Sequence, residues 1–380
     1  MSKILVRGPA LSNSGYGEHC RSLLRYLSST EHEVYLINVN WGTSGWIVET
    51  GADRDWIDDL IMSTAKKVRS GEADFDISFQ VQLPSEWQKL APFNIGVTAG
   101  SESTSVSDSW NLAANAVDAI IVPSNHARNS FSEEIRDKIS VVPFCTRDIE
   151  VEEMNLDLDT NFNFLTVAQW SPRKNIEQCV YAFMQEFQNE EVGLVLKLNY
   201  QGNSNLDRQY IKEGMSRFVS SVDSKCRVYL LHGNLRESQI RGLYENKNIN
   251  SYISTSRGEG FGLPVFEAAQ SGLPVITPYW SGVCDFLSKE NITEVDYSLV
   301  QVGEENAHNM MNPESSWAEA SVDSIKSALR EAYVDASGKC ALAREQSENI
   351  KNNFTEQNVN KLYNNIVNEF LKKGEQNEVK

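Results

Sequence analysis

The chain alternates short apolar runs with longer stretches of three- to four-residue hydrophobic spacing. Lys3–Arg7 is the first run, and it stops at Gly8 and Pro9 as a buried parallel strand does. A small-residue segment, Ser12-Asn-Ser-Gly-Tyr-Gly17, leads into a helical pattern carried by Leu23, Leu24 and Leu27. Further runs predict strands at 33–39, 76–81, 94–98, 119–122 and 139–143, with a helix over 125–135. After an acidic stretch, 148–163, which reads as a linker, the alternation restarts. Strands are expected at 162–167, 192–198, 228–231, 251–255 and 274–277. Helices are expected at 176–187, 210–219, 237–245 and 264–271, and in the tail at 322–336 and 353–373. Strand–helix alternation on this scale predicts two doubly wound α/β domains facing a cleft. The boundaries expected are 1–155 and 156–350, with 351–380 forming a C-terminal helix and a frayed polar end from Gly374.

Length agrees, because 380 residues exceed what one core usually supports. The formal net charge of -17 weighs against a large nucleic-acid footprint, though not against a local basic cleft. Six cysteines are scattered without Cys-x-x-Cys spacing, which fits buried thiols in a reducing compartment. No signal peptide or 18-residue apolar span is apparent, so a cytoplasmic location is expected.

Ligands of open parallel sheets bind beyond the carboxyl ends of the strands. The most informative segment lies there: Arg257-Gly-Glu-Gly-Phe-Gly-Leu-Pro-Val-Phe-Glu267. Three closely spaced glycines let backbone approach a ligand, and Pro264 suits the first turn of a helix whose free N–H groups favour an anion. Glu267 falls one turn into that helix.

The string Glu259-Gly-Phe-Gly-Leu-Pro-x-x-Glu267 resembles the paired-glutamate motif of glycosyltransferase family 4, retaining enzymes with the two-Rossmann GT-B fold. Thr166–Asn175 is similar to that family's first donor-domain loop, Leu230–Gly233 to its turn near the nucleobase, and Asn13–Gly17 to its acceptor-domain glycine loop. Val117–Ser124 is similar to the strand that closes its acceptor domain. The resemblance implies that Glu267 holds the donor ribose and Glu259 the transferred sugar. Gly260, Phe261, Gly262 and Leu263 would meet the sugar or diphosphate through backbone, and Lys174 would neutralise the leaving group. Gly15, Tyr16 and Gly17 would face the donor phosphates across the cleft, and His232 would contact the nucleotide or sugar. It also implies a C-terminal helix crossing back to the first domain.

One position departs from the pattern: where the family has an arginine five residues before the lysine, this chain has Gln169. A neutral amide cannot neutralise phosphate, so Arg173 is the expected substitute beside Lys174. The family's acceptor-domain histidine is also missing from Gly96–Ser103. Glu102 is the strong acid or base there, either to orient the acceptor hydroxyl or take its proton, or to cap a loop beside Thr104 and Asp108. His19 reads as a surface residue and Asp285 as a helix-start cap. Asp157-Leu-Asp159 reads as solvated charge rather than a metal motif, and Asn291 and Asn353 as chance glycosylation sequons.

The expected activity is retaining, metal-independent transfer from a nucleotide-diphosphate sugar by a front-face route, with no other cofactor. The acceptor expected is a glycan or glycolipid hydroxyl. The loops 41–54 and 82–92, with Trp41, Trp46 and Trp87, would shape its pocket. Two alternatives stay open: a phage-type enzyme glycosylating hydroxymethylated bases in DNA, and a non-catalytic nucleotide-sugar-binding homologue.

Overall fold

The structure is a computed structural model that describes residues 2–42, 45–72, 74–219, 224–307 and 310–378. Six strands, β1 (Lys3–Gly8), β2 (Glu33–Asn38), β3 (Ile77–Val81), β4 (Phe93–Val97), β5 (Ala119–Val122) and β6 (Ile139–Val141), make one parallel sheet ordered β2-β1-β3-β4-β5-β6. Six more, β7 (Phe162–Gln169), β8 (Val192–Asn199), β9 (Arg227–His232), β10 (Ser251–Ile253), β11 (Val275–Thr277) and β12 (Thr293–Glu294), make a second, ordered β12-β11-β10-β7-β8-β9. That second order is the doubly wound one with its reversal between β10 and β7, where a ligand crevice opens. An antiparallel hairpin, β13 (Tyr297–Gln301) with β14 (Ser316–Ala320), stands apart.

Both large sheets are buried on two faces, which is why their strands read as apolar runs. On β8, Leu194, Leu196 and Leu198 pack beneath the helix Ile176–Phe187, while Val195 faces the core that holds Phe266 and Leu243. The predicted helix over 176–187 matches residue for residue.

Several expectations change. The acidic stretch 148–163 is no solvated tether. Met154, Leu156 and Leu158 alternate inward against the second core while Asn155, Asp157 and Asp159 face out. Glu152 N–H donates to Ser238 O (3.1 Å). The helix expected over 125–135 breaks at Ser130–Ser132 into Asn125–Asn129 and Glu133–Arg136. Helices Ala52–Ser70 and Ala336–Asn353 occupy segments where none was read. The last helix spans Glu356–Glu378, past the point where fraying was expected, and residues 379–380 lie outside the described residues.

That last helix crosses back. Val359, Tyr363, Ile366, Val367 and Phe370 are buried with Ile4, Val6 and Leu23 of the first domain. Tyr363 stacks on Tyr26 (4.9 Å between centroids), and Tyr26 Oη donates to Asn364 Oδ1 (2.8 Å). The return crossing touches the outward one, with Thr146 N–H donating to Phe354 O (2.7 Å). Tyr363→Ala is expected to destabilise the protein by about 3–5 kcal/mol, as for loss of other large buried aromatics, measured by urea unfolding.

Candidate active site

Residues 254–262 link β10 to the helix Leu263–Gln270. Gly262 is the N-cap at φ +95°, a conformation that favours glycine, and Pro264 occupies the first turn. The other two glycines serve closeness rather than a turn. A Cβ on Gly258 would overlap the carbonyl oxygen of Glu102, and one on Gly260 that of Ala99. Ser124 Oγ donates to Gly260 O (2.5 Å) across the same seam. The glycine loop therefore lies directly against the first domain. Gly258→Ala is expected to pry the seam open, costing about 1–3 kcal/mol in chemical denaturation and reducing turnover with it.

At this seam four charges meet. Lys174 and Arg173 sit on the short turn Pro172–Lys174 after β7. Lys174 Nζ contacts Glu259 Oε1. Arg173 Nη1 donates to Glu259 Oε2 (3.1 Å) and Gly258 O (2.7 Å), while its Nη2 pairs with Glu102 Oε1 (3.3 Å). Glu259 is 8% exposed, and its N–H donates to Ser281 Oγ (2.9 Å). Burial pushes the Glu259 carboxyl up, but Lys174 and Arg173 outweigh it and hold it at about 2. Burial pulls the Lys174 ammonium down, opposed by Glu259. Arg173 is thus not solvent-facing, and it ties the glycine loop to the first domain. Glu102 is its partner across the seam rather than a loop cap.

A second cluster surrounds Glu267. Burial, and then the charges of Glu237 and Glu18, push its carboxyl up to about 8. Glu18, on the helix Gly15–Ser28 of the first domain, is itself pushed up by burial but held at about 2 by Arg21, Arg25 and Arg147. Arg147 reaches both Glu18 (3.4 Å) and Glu237 (2.5 Å).

The remaining expected residues divide. Gly15, Tyr16 and Gly17 form the first turn of a helix capped by Ser14, not a loop. A Cβ on Gly17 would overlap Ser12 O, so that glycine answers to chain packing, whereas Gly15 faces open space. Tyr16 Oη bonds Thr98 Oγ1 (2.7 Å) and its ring stacks on Trp41 (4.2 Å). Phe261 is buried among Phe144, Phe266 and Phe286, so its side chain belongs to the core. Gln169 is exposed at the end of β7, and Leu263 is half-buried. His232 ends β9, its Nε2 buried without a partner, and burial lowers its pKa.

Three readings are corrected. His19 is 3% exposed and packs on Phe144, and burial holds it neutral with a pKa of about 4. Trp46 and Trp87 are each 6% exposed, and Trp87 Nε1 donates to Gln80 O (3.1 Å), so neither offers a stacking face. Asp285 does cap a helix start, but a distant one: its carboxylate accepts from Asn125 N–H (2.7 Å) in the first domain. Residues 43–44 of the expected acceptor loop lie outside the described residues. Sequence reasoning missed Ser281, Ser124 and the buried Lys197. The signal for the last was a lone lysine inside the apolar run of β8.

Two Rossmann-like sheets facing a cleft, with a helix returning to the first, define a GT-B glycosyltransferase fold. The chain matches the family described as family 4 glycosyltransferases in conflict systems over residues 126–361, and it belongs to that family. The matched span takes in the whole second sheet and only the end of the first domain. Among solved structures the chain is similar in fold to HepE of Anabaena in complex with UDP and glucose (TM-score 0.67, 14% identity, covering 97% of this chain and 100% of that one). It is also similar to sucrose-phosphate synthase of Thermosynechococcus elongatus (0.65, 15%, 98% and 100%) and to the lipopolysaccharide outer core galactosyltransferase WaaB (0.58, 15%, 97% and 99%). A comparison with curated proteins finds no match. Among the described residues no helix is long and apolar enough to cross a membrane, and no three His, Cys, Asp or Glu side chains converge as a metal site.

Proposed function

We propose that this glycosyltransferase moves a sugar from a nucleotide-diphosphate donor with retention of configuration. The observation that carries the reading is the Lys174–Glu259 pair at the foot of the glycine loop, eight residues before Glu267. Glu267 accepts from the ribose hydroxyls, Glu259 holds hydroxyls of the transferred sugar, and Lys174 shifts onto the diphosphate as charge builds there. Backbone N–H groups at the start of the helix Leu263–Gln270 assist with their dipole.

A front-face route fits the side chains. Double displacement needs a free carboxylate beneath the anomeric carbon. Glu259 and Glu102 are both held by cations. The departing phosphate oxygen then takes the acceptor proton as the new glycosidic bond forms. With cations already in place, transfer is expected to persist in EDTA. The acceptor in this reading is a glycan or glycolipid hydroxyl, and the aromatic pair Tyr16–Trp41 is assigned to its apolar face.

A thermal-shift screen without metal against UDP, GDP, ADP, dTDP and CDP sugars tests this, with UDP-glucose first because HepE's structure holds UDP and glucose. One donor should raise the melting temperature of the wild type and not of Glu267→Ala. A flat response to every donor would leave a non-catalytic homologue as the better description. Label transfer to hydroxymethylated DNA, and not to glycans, would replace the acceptor assigned here.

A further inference from the structure

We propose that Lys197 is a phosphate-binding residue of the donor site, supplying from β8 the positive charge that β7 lacks at Gln169. The inference rests on the nucleotide-sugar reading above and adds to it a cation outside the family's motif.

Lys197 is 3% exposed in a strand whose other members from Val192 to Leu198 are fully buried and apolar or glycine. Its ammonium donates to Asn199 Oδ1 (2.7 Å), and among the described residues no carboxylate pairs with it. An ammonium taken out of water without a counter-charge is costly, and a lysine stem normally carries its head back to solvent. Burial alone, with no charge opposing it, pulls this group down to about 8. Such a residue is expensive to keep unless an anion arrives.

The register says where that anion lies. Lys197 pairs with Val167 on β7 and Leu231 on β9, and Asn199 pairs with Gln169. Alternation along strands puts Val167, Gln169, Lys197 and Asn199 on one face of the sheet. Because Lys197 reaches Asn199, its ammonium stands at the level of Gln169, on the strand beside it and at the carboxyl edge where ligands bind.

Charge arithmetic gives the reason for the site. Arg173 and Lys174 carry two positive charges, and Glu102 and Glu259 carry two negative ones, so the seam cluster is neutral. Lys174 can turn to a diphosphate only by leaving Glu259, so the four groups together bring no net positive charge to it. Lys197 is the uncompensated cation one strand away.

Isothermal titration calorimetry decides it. The wild type is titrated with UDP, GDP, ADP, CDP and dTDP, and then with the parent nucleoside of whichever binds. Lys197→Met is expected to weaken binding of that diphosphate by about 10–100-fold, the range for hydrogen bonds to charged groups, and to leave nucleoside binding unchanged. Its melting temperature should hold or rise, since an unpaired buried charge has gone. Lys197→Gln, which keeps a polar partner for Asn199, guards against misfolding and should show the same selective loss. Adding Gln169→Arg to Lys197→Met should restore much of the diphosphate affinity, which a merely structural lysine would not allow. Diphosphate binding within about twofold of wild type in both single variants, or equal losses for diphosphate and nucleoside, would overturn the proposal. A wild type that binds no diphosphate would instead overturn the donor reading on which it rests.

Discussion

Lys174→Ala is expected to lower kcat by about 10²–10³-fold, the usual loss when one group stabilising the developing charge is removed. In the proposed mechanism Lys174 neutralises the leaving group, and its present partner, Glu259, is a sugar ligand. Removing it also leaves Glu259 buried with Arg173 alone, and breaking a buried pair costs about 3–5 kcal/mol. Activity could then fall through instability rather than chemistry, and a double substitution separates the two. Lys174→Met with Glu259→Gln removes both charges, and should recover most of the stability while remaining inactive. The pH dependence of stability checks the pairing from the other side. The Glu259 carboxyl is depressed to about 2, so its stabilising contribution is present above the usual 4.5 and is lost as pH falls through 2. That acid-side loss should be absent from the double variant. Recovery of turnover without recovery of charge would dismiss the role given to Lys174.

Glu267→Gln should have opposite effects on stability and on binding. The Glu267 carboxyl is raised from 4.5 to about 8. The folded state therefore holds its proton more tightly than the unfolded chain does. The stabilisation this gives is full below about 4.5 and disappears as pH rises through 8. Above that pH the ionised group sits buried beside Glu237 and Glu18 at a cost of about 1–3 kcal/mol, after discounting for its partial exposure and the nearby arginines. The glutamine variant should accordingly melt about 2–6 °C higher than the wild type at pH 9 and nearly equal to it at pH 4, with the gap opening between the two. Donor binding should meanwhile weaken by about 10–100-fold, because an amide cannot accept from both ribose hydroxyls as a carboxylate does. Donor binding to the wild type near pH 7 should release a proton, seen calorimetrically in buffers of different ionisation enthalpy, and the variant should release none. Equal proton release in both would place the titrating group elsewhere, with Glu237 the first candidate, since burial and Glu18 raise its carboxyl as well. A site that costs stability when ready to bind is the usual compromise of a functional carboxylate.

Much of the fold and part of the site were legible along the chain. The glycine loop, Pro264, Glu259 and Glu267 lie within eleven residues, and the strand–turn–helix they occupy follows from their own backbone preferences. The apolar period of Ile176–Phe187 is strong because that helix is packed along its length. The helix Ala52–Ser70 was missed because it buries only Ile57 and Thr64 fully, and its apolar stripe is diluted by acids in the first turns. The hairpin β13–β14 shows little alternation because every residue of β13 is half-buried or exposed. His19 and Trp87 looked available because the groups that cover them are brought up only by the fold. Phe144 covers the first, more than a hundred residues away.

The sequence by itself determined where backbone turns, which faces are apolar, and which side chains stand at the carboxyl ends of strands. Those properties depend on neighbours a few residues apart, through allowed dihedrals and the periods of helix and strand. Only the tertiary structure decided the charges' partners. Arg173 meets Glu102 across the domain seam, Glu267 meets Glu18 from a distant helix, and Lys197 meets no carboxylate. An electrostatic interaction is set by the distance between groups and by how much water is excluded around them. Neither quantity exists for segments far apart in the chain until the two domains have docked.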